Sequence, residues 1–144
     1  MKKIDDYRKL LEVTKTTNLK DLKTAYRNAM KAWHPDKFVE DNQEKIEAEE
    51  KSKLLIEAYH FLESIAPETI EKELPEYTKT ITLSNIQDII YDRQVLRIDF
   101  LDGSSYEYFD VPKNTYIKLI NADSQGRLAR RHIYNSFLYR NIKR

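Results

Sequence analysis

His34, Pro35 and Asp36 stand side by side and present an imidazole, a stiff ring and a carboxylate in three positions. That trio suits recognition better than turnover. Pro35 limits the conformations of its loop, so less entropy is lost when a partner orders it. Asp36 can accept a charge-assisted bond from a partner's arginine. The plainer alternative is local: His34 caps a helix C-terminus, where an imidazolium is favourable, and Asp36 is an ordinary turn residue. Upstream, Lys20, Lys23, Arg27 and Lys31 recur at spacings of three and four, which places them on one stripe of a helix. Such a stripe is either a solvated face or a complement to an acidic partner surface.

Catalytic chemistry finds little to work with. The three histidines, His34, His60 and His132, lie far apart and none has a metal-ligand spacing such as HExxH. His60 is expected on the surface of a helix. Ser104 and Ser105 sit at a predicted hairpin without an evident base. No phosphate-binding glycine loop and no nucleophile-elbow motif occurs, and the chain contains no cysteine, which removes disulfides, thiolate zinc sites and a cysteine nucleophile. The expectation is a protein that is not an enzyme, with no metal, no cofactor and no small-molecule substrate.

The elements that would hold these residues change character half-way along the chain. Asp5 or Asp6 can cap a short helix presenting Tyr7, Leu10 and Leu11. Asn18 is a plausible cap for a second helix from Leu19 to about Trp33, with Leu22, Ala25, Ala29 and Ala32 or Trp33 on its apolar face. Proline disfavours the helical region for the residue before it, so this helix should stop near Trp33. A third helix from about Gln43 to Ser64 carries Leu55, Ala58, Tyr59 and Leu62 on one side, and its acidic start suits the helix dipole. Two long amphipathic helices joined by a short loop form an antiparallel hairpin.

A polar stretch with Pro67 and Pro75 follows and reads as a linker over residues 67–79, with at most one helical turn at Thr69–Glu73. Beyond it the period becomes two. Ile86–Tyr91, Val95–Leu101 and Tyr106–Val111 are rich in β-branched and aromatic residues and are bounded by Asp92-Arg93, Asp102-Gly103 and Val111-Pro112. Leu96, Ile98 and Phe100 alternate with Arg97 and Asp99, as in a half-buried strand. Helical spacing returns over 112–122 and 126–138. The order predicts a small α+β domain of about three antiparallel strands and two helices.

With these residues in view, the first half resembles the J domain of the DnaJ family over roughly residues 4–65. The likeness is carried by Asp6-Tyr7 with Leu10-Leu11, by Leu22-Lys23 with Ala25-Tyr26-Arg27, by His34-Pro35-Asp36-Lys37, and by Glu57-Ala58-Tyr59 with Leu62. The resemblance implies an all-α antiparallel helical hairpin at residues 1–66. It also implies a co-chaperone that docks on a DnaK-type ATPase chaperone and stimulates its hydrolysis. The docking residues would be Lys23, Tyr26, Arg27, Lys31, His34, Pro35, Asp36 and Lys37. Asn28 stands where many members are basic, and Ala29 and Ser52 replace a usual leucine and phenylalanine. Each large-to-small change would cost about 2–5 kcal/mol unless Met30, Trp33 or the second half refills the space. No fourth helix, Gly/Phe-rich region or CxxCxGxG zinc module is recognisable.

Residues from about Leu83 to Ile142 resemble the KTSC domain, through Ser84-Asn85-Ile86, Ile90-Tyr91-Asp92, Leu96, Phe100, Gly103, Tyr106-Glu107-Tyr108, Val111-Pro112, Ser124, Gly126 and the Tyr139 region. The resemblance implies a small domain at residues 80–144, for whose family RNA has been suggested as a ligand; in the co-chaperone reading this domain serves as a targeting or client-binding module. The residues themselves offer a second reading of the same kind. After Asp123 no acidic residue occurs, while Arg127, Arg130, Arg131, Arg140, Lys143 and Arg144 accumulate among His132, Tyr134, Phe137 and Tyr139. Cations beside aromatic platforms suit single-stranded nucleic acid. Tyr106, Tyr108, Arg127, Arg130, Arg131, Tyr139 and Arg140 are the candidates for it, with the J hairpin then a degenerate scaffold. The alternative packs Ile133 and Phe137 into the core and leaves the arginines to solvate the surface. Residues 1–79 carry a net charge of −2 and residues 80–144 a net of +3. No apolar run follows Met1-Lys2-Lys3 and none approaches a membrane span, so the expected location is the cytoplasm.

Overall fold

The computed structural model describes residues 2–38 and 43–142. The chain divides into two compact units, Met1–Thr69 and Ile70–Arg144.

The first unit is helical, with α1 at Lys2–Leu11, α2 at Leu19–Trp33, a 3₁₀ turn at Pro35–Lys37 and α3 at Gln43–Ile65. Helix α1 starts earlier than a cap at Asp5 or Asp6 would place it, because Ile4 joins Tyr7 and Leu11 on the buried stripe. Helix α2 begins where its cap predicts: the Asn18 side chain accepts the Asp21 N–H at 2.8 Å, and Glu68 accepts the Leu19 N–H at 2.7 Å. Two of the N–H groups that a helix start leaves without partners are thereby satisfied. The contacts Tyr26 with Tyr59, Met30 with Ser52, and Trp33 with Lys51 run in opposite chain directions, so α2 and α3 are antiparallel. Ala48, Ser52, Leu55, Ala58, Phe61 and Leu62 form the buried stripe of α3. Ser52 donates to the Met30 sulfur at 3.8 Å, so a flexible methionine occupies space that a larger residue at 52 would fill.

Helix α4 spans Pro67–Leu83 and corrects the reading of 67–79 as a linker. Ile70, Tyr77 and Ile81 repeat at helical spacing and pack into the core of the second unit, where Tyr77 is fully buried. That burial stabilises the helix in spite of Pro75, which withholds one N–H from the ladder.

The second unit continues with strands β1 (Ile86–Asp92), β2 (Val95–Phe100) and β3 (Ser105–Phe109), helices α5 (Lys113–Ile120) and α6 (Gln125–His132), and strand β4 (Tyr139–Asn141). The sheet is antiparallel in the order β1-β2-β3-β4. The helix read up to 138 is shorter than its spacing predicts, and a fourth strand that the sequence reading did not include follows it. Helix α6 ends at His132, a turn closed by the Ser136 N–H on the Ile133 carbonyl follows, and residues 139–141 pair with β3. Gly103 adopts φ +93° in the β2–β3 turn, a conformation that a side chain disfavours. The core gathers Leu96, Ile98, Phe100, Tyr106, Tyr108, Val111, Leu119, Ala129, Ile133 and Tyr134.

Candidate functional site

The His34-Pro35-Asp36 loop is a shaped turn. His34 ends α2 in extended geometry (φ −63°, ψ 131°), as a residue before proline must, while its N–H still closes on the Met30 carbonyl at 2.8 Å. The Lys37 and Phe38 N–H groups then close on the His34 and Pro35 carbonyls, each at 3.0 Å. His34 Nδ1 accepts the Asp36 N–H at 3.2 Å and lies 3.5 Å from the Asp36 carboxylate. With Nδ1 accepting, the neutral ring carries its proton on Nε2. The side chains of His34 and Asp36 are 49% and 92% exposed. The turn therefore presents an imidazole N–H and a carboxylate on a backbone that its own hydrogen bonds define.

Lys20, Lys23, Arg27 and Lys31 are exposed on α2, and Lys37 is exposed in the turn. Asn28 is exposed beside them without charge. Tyr26 is half-buried and stacks on Tyr59 with ring centroids 4.3 Å apart and planes 12° apart, so one ring face holds α2 against α3. Behind the site, Tyr7 donates to Glu57 at 2.7 Å and meets Phe61 edge-on. Lys51 lies 5.5 Å over Trp33, the last residue of α2, a cation–π contact that pins the helix end from which the turn departs. Sequence reasoning placed Tyr59 on the apolar side of α3 without naming Tyr26 as its partner, and it did not name Lys51. Their signal was register alone, since antiparallel pairing of α2 with α3 sets 26 against 59 and 33 against 51.

The second candidate cluster separates. Tyr106 and Tyr108 are 1% and 0% exposed and Tyr139 is buried as well. Tyr77 stacks on Tyr139 at 3.8 Å and meets Tyr106 edge-on at 4.9 Å. Its hydroxyl donates to the Tyr134 carbonyl at 2.7 Å, which leaves the Tyr108 hydroxyl to donate to Tyr77 across 2.9 Å. These tyrosines are core, and as such they offer no ring face to a base. Arg140 pairs with Glu107 at 3.2 Å, while Arg127, Arg130 and Arg131 are exposed on α6. Ile133 is buried and Phe137 is half-buried. Lys143 and Arg144 lie outside the described residues. Ser104 donates to Asp102 at 2.5 Å and Thr80 donates to the same carboxylate at 2.8 Å. Burial works against the Asp102 charge, but these bonds outweigh it and hold its pKa below the ordinary value. Ser104 thus ties a hairpin turn. His60 is exposed on α3.

An antiparallel helix pair that presents an exposed His-Pro-Asp turn beside a basic face fits the J domain that residues 4–65 resemble, and a four-stranded α+β domain follows it. Comparison with known families agrees on both. The DnaJ domain model matches residues 6–69 and the KTSC domain model matches residues 83–137. Among curated proteins, the chain is similar to the Chaperone protein DnaJ of Fusobacterium nucleatum subsp. nucleatum, with 45% identity over 58 residues, 40% of this chain and 15% of that protein. The namesake from Bacteroides thetaiotaomicron is 47% identical over 57 residues, covering 40% and 13%. That from Thermoplasma volcanium is 47% identical over 57 residues, covering 40% and 15%. The likeness to these relatives is confined to a segment the length of the J domain. Among the described residues, no helix is long and apolar enough to cross a membrane.

Proposed function

We propose that this chain is a co-chaperone whose J domain, residues 1–66, docks on a DnaK-type ATPase chaperone and stimulates its ATP hydrolysis, with residues 80–144 as its address. One observation carries the reading: the His34-Pro35-Asp36 turn is exposed, internally hydrogen-bonded and set at the end of a basic helix. Lys23, Arg27, Lys31 and Lys37 steer the encounter with an acidic surface. Asp36 accepts from a partner arginine and His34 Nε2–H donates to a partner acceptor, and the preformed turn reduces the ordering cost of both. Tyr26 contributes the ring face that Tyr59 leaves uncovered. The J domain performs no bond chemistry of its own, and the reading places the chain in the cytoplasm beside its partner. The name shared by its relatives over this segment supports it.

The test is single-turnover ATP hydrolysis by a DnaK-type chaperone with this protein, native or carrying His34→Gln. Stimulation should fall at least tenfold in the variant while its circular dichroism stays native. Equal stimulation by both forms would sink the proposal. For RNA, the exposed arginines and His132 of α6 remain, but the tyrosines of that reading are buried and Phe137 is half-buried, so the co-chaperone reading is the one favoured.

A further inference from the structure

Strand β1 is an edge of the sheet, seven residues long. Which of its backbone groups face outward follows from its neighbour. The Phe100 N–H bonds the Ser104 carbonyl, so Leu96, Ile98 and Phe100 of β2 direct their backbone to β3. Val95, Arg97 and Asp99 direct theirs to β1, against Asp92, Ile90 and Asp88. The N–H and C=O groups of Ile89 and Tyr91 therefore point away from the sheet.

This edge is guarded in a selective way. A register irregularity interrupts the pairing between Ile86 and Asp88. Asp88 turns its carboxylate onto the outward Ile89 N–H at 2.9 Å. Asp88, Ile90 and Asp92 line the outer face and are all exposed, Ile90 by 49%. No basic residue lies on the strand, although lysine is a common guard of edges. An incoming strand must take the Ile89 N–H from Asp88, and a lysine or arginine opposite Asp88 would compensate the released carboxylate. A second copy of this chain is a poor occupant in the register centred on Ile90. Antiparallel pairing of two β1 strands about Ile90 sets Asp88 against Asp92 twice, and like charges directly opposed destabilise a sheet.

We propose that the β1 edge binds an extended segment of a client polypeptide by strand addition, selecting segments in which basic residues alternate with apolar ones. The Tyr91 N–H and C=O supply main-chain bonds, Ile90 meets an apolar side chain, Asp88 meets a cation, and Asp92, whose carboxylate lies 4.0 Å from the exposed Arg93, meets a second in competition with that arginine. This gives the C-terminal domain of the proposed co-chaperone its role, and so rests on that reading.

The probe is a short fluorescent peptide of alternating lysine and valine, titrated onto the full chain and followed by anisotropy at fixed salt. The expected result is saturable binding, weakened at least tenfold by Asp88→Lys, by Asp92→Lys, or by N-methylation of alternate residues along one edge of the peptide. A glutamate–valine peptide should not bind. Both variants should keep native circular dichroism and His34-dependent stimulation of the chaperone. Loss of stimulation in the native chain would therefore strike the co-chaperone reading alone. Equal binding of the N-methylated peptide would reduce the contact to charge and overturn strand addition. No binding by the native chain, or unaltered binding by both variants, would also overturn it. A concentration-dependent dimer that the peptide dissolves would assign the edge to a second copy and overturn the client assignment.

Discussion

One hydroxyl separates two kinds of buried tyrosine in the second unit. Tyr77 donates to the Tyr134 carbonyl and accepts from Tyr108, so Tyr77→Phe leaves two buried polar groups without partners. A cost of about 1–3 kcal/mol is expected, since an orphaned buried group forfeits its solvation. The Tyr139 hydroxyl is buried with no hydrogen-bond partner among the described residues. Tyr139→Phe should therefore be close to neutral. Urea unfolding of both variants checks the contrast, and equal losses would contradict this hydrogen-bond network. Tyr106 and Tyr108 also show where the sequence stops being informative. Their alternation marks one strand face, but the side that helices cover is decided by packing, and a period of two is the same for either side. The His34 turn was legible because its causes are local: a proline, a helix end and a carboxylate two residues on.

Among the elements, α4 was the least legible. Its Glu, Lys and Thr residues and its two prolines resemble a solvated connector, and Ile70, Tyr77 and Ile81 are too few to mark a buried stripe alone. Their partners lie on strands whose nearest residue is several positions further along. Helix α2, by contrast, carries its cap, its stripe and its stop within its own segment. Strand β4 was missed because three residues make no period, and only the register with β3 makes Tyr139–Asn141 a strand. The placement of α4 has a direct consequence for folding. A fragment of residues 84–144 lacks Ile70, Tyr77 and Ile81, and its core would open over Tyr106, Tyr108 and Tyr139. A fragment of residues 70–144 retains them. The longer fragment should give dispersed amide signals and cooperative urea unfolding, and the shorter should give neither. A cooperatively folded 84–144 would show that α4 is dispensable to the domain.

The molecule as a whole carries ten tyrosines, and five in the second unit have their phenols moved in one direction. Burial pushes Tyr106 and Tyr134 up to about 12; Glu73 adds to the effect on Tyr106, and Arg130 opposes it at Tyr134. Burial also raises Tyr77, Tyr108 and Tyr139. A raised acid pKa in the folded state means that the unfolded chain loses its protons first. The stability contributed by these neutral phenols is then complete below about pH 10, the ordinary tyrosine value. It is lost as pH rises through the folded values. While a phenol titrates only in the unfolded chain, the loss is about 1.4 kcal/mol per pH unit, and several such phenols steepen it together. The second unit should hold a level unfolding free energy up to about pH 10 and lose it sharply towards pH 12. Urea unfolding followed through the amide signals of Leu96 and Ile98, at stepped pH, measures this directly. A level profile through pH 12 would mean that the phenols ionise as readily in the folded protein as in the unfolded chain. The tyrosine cluster would then be hydrated, and the core described for this domain could not hold.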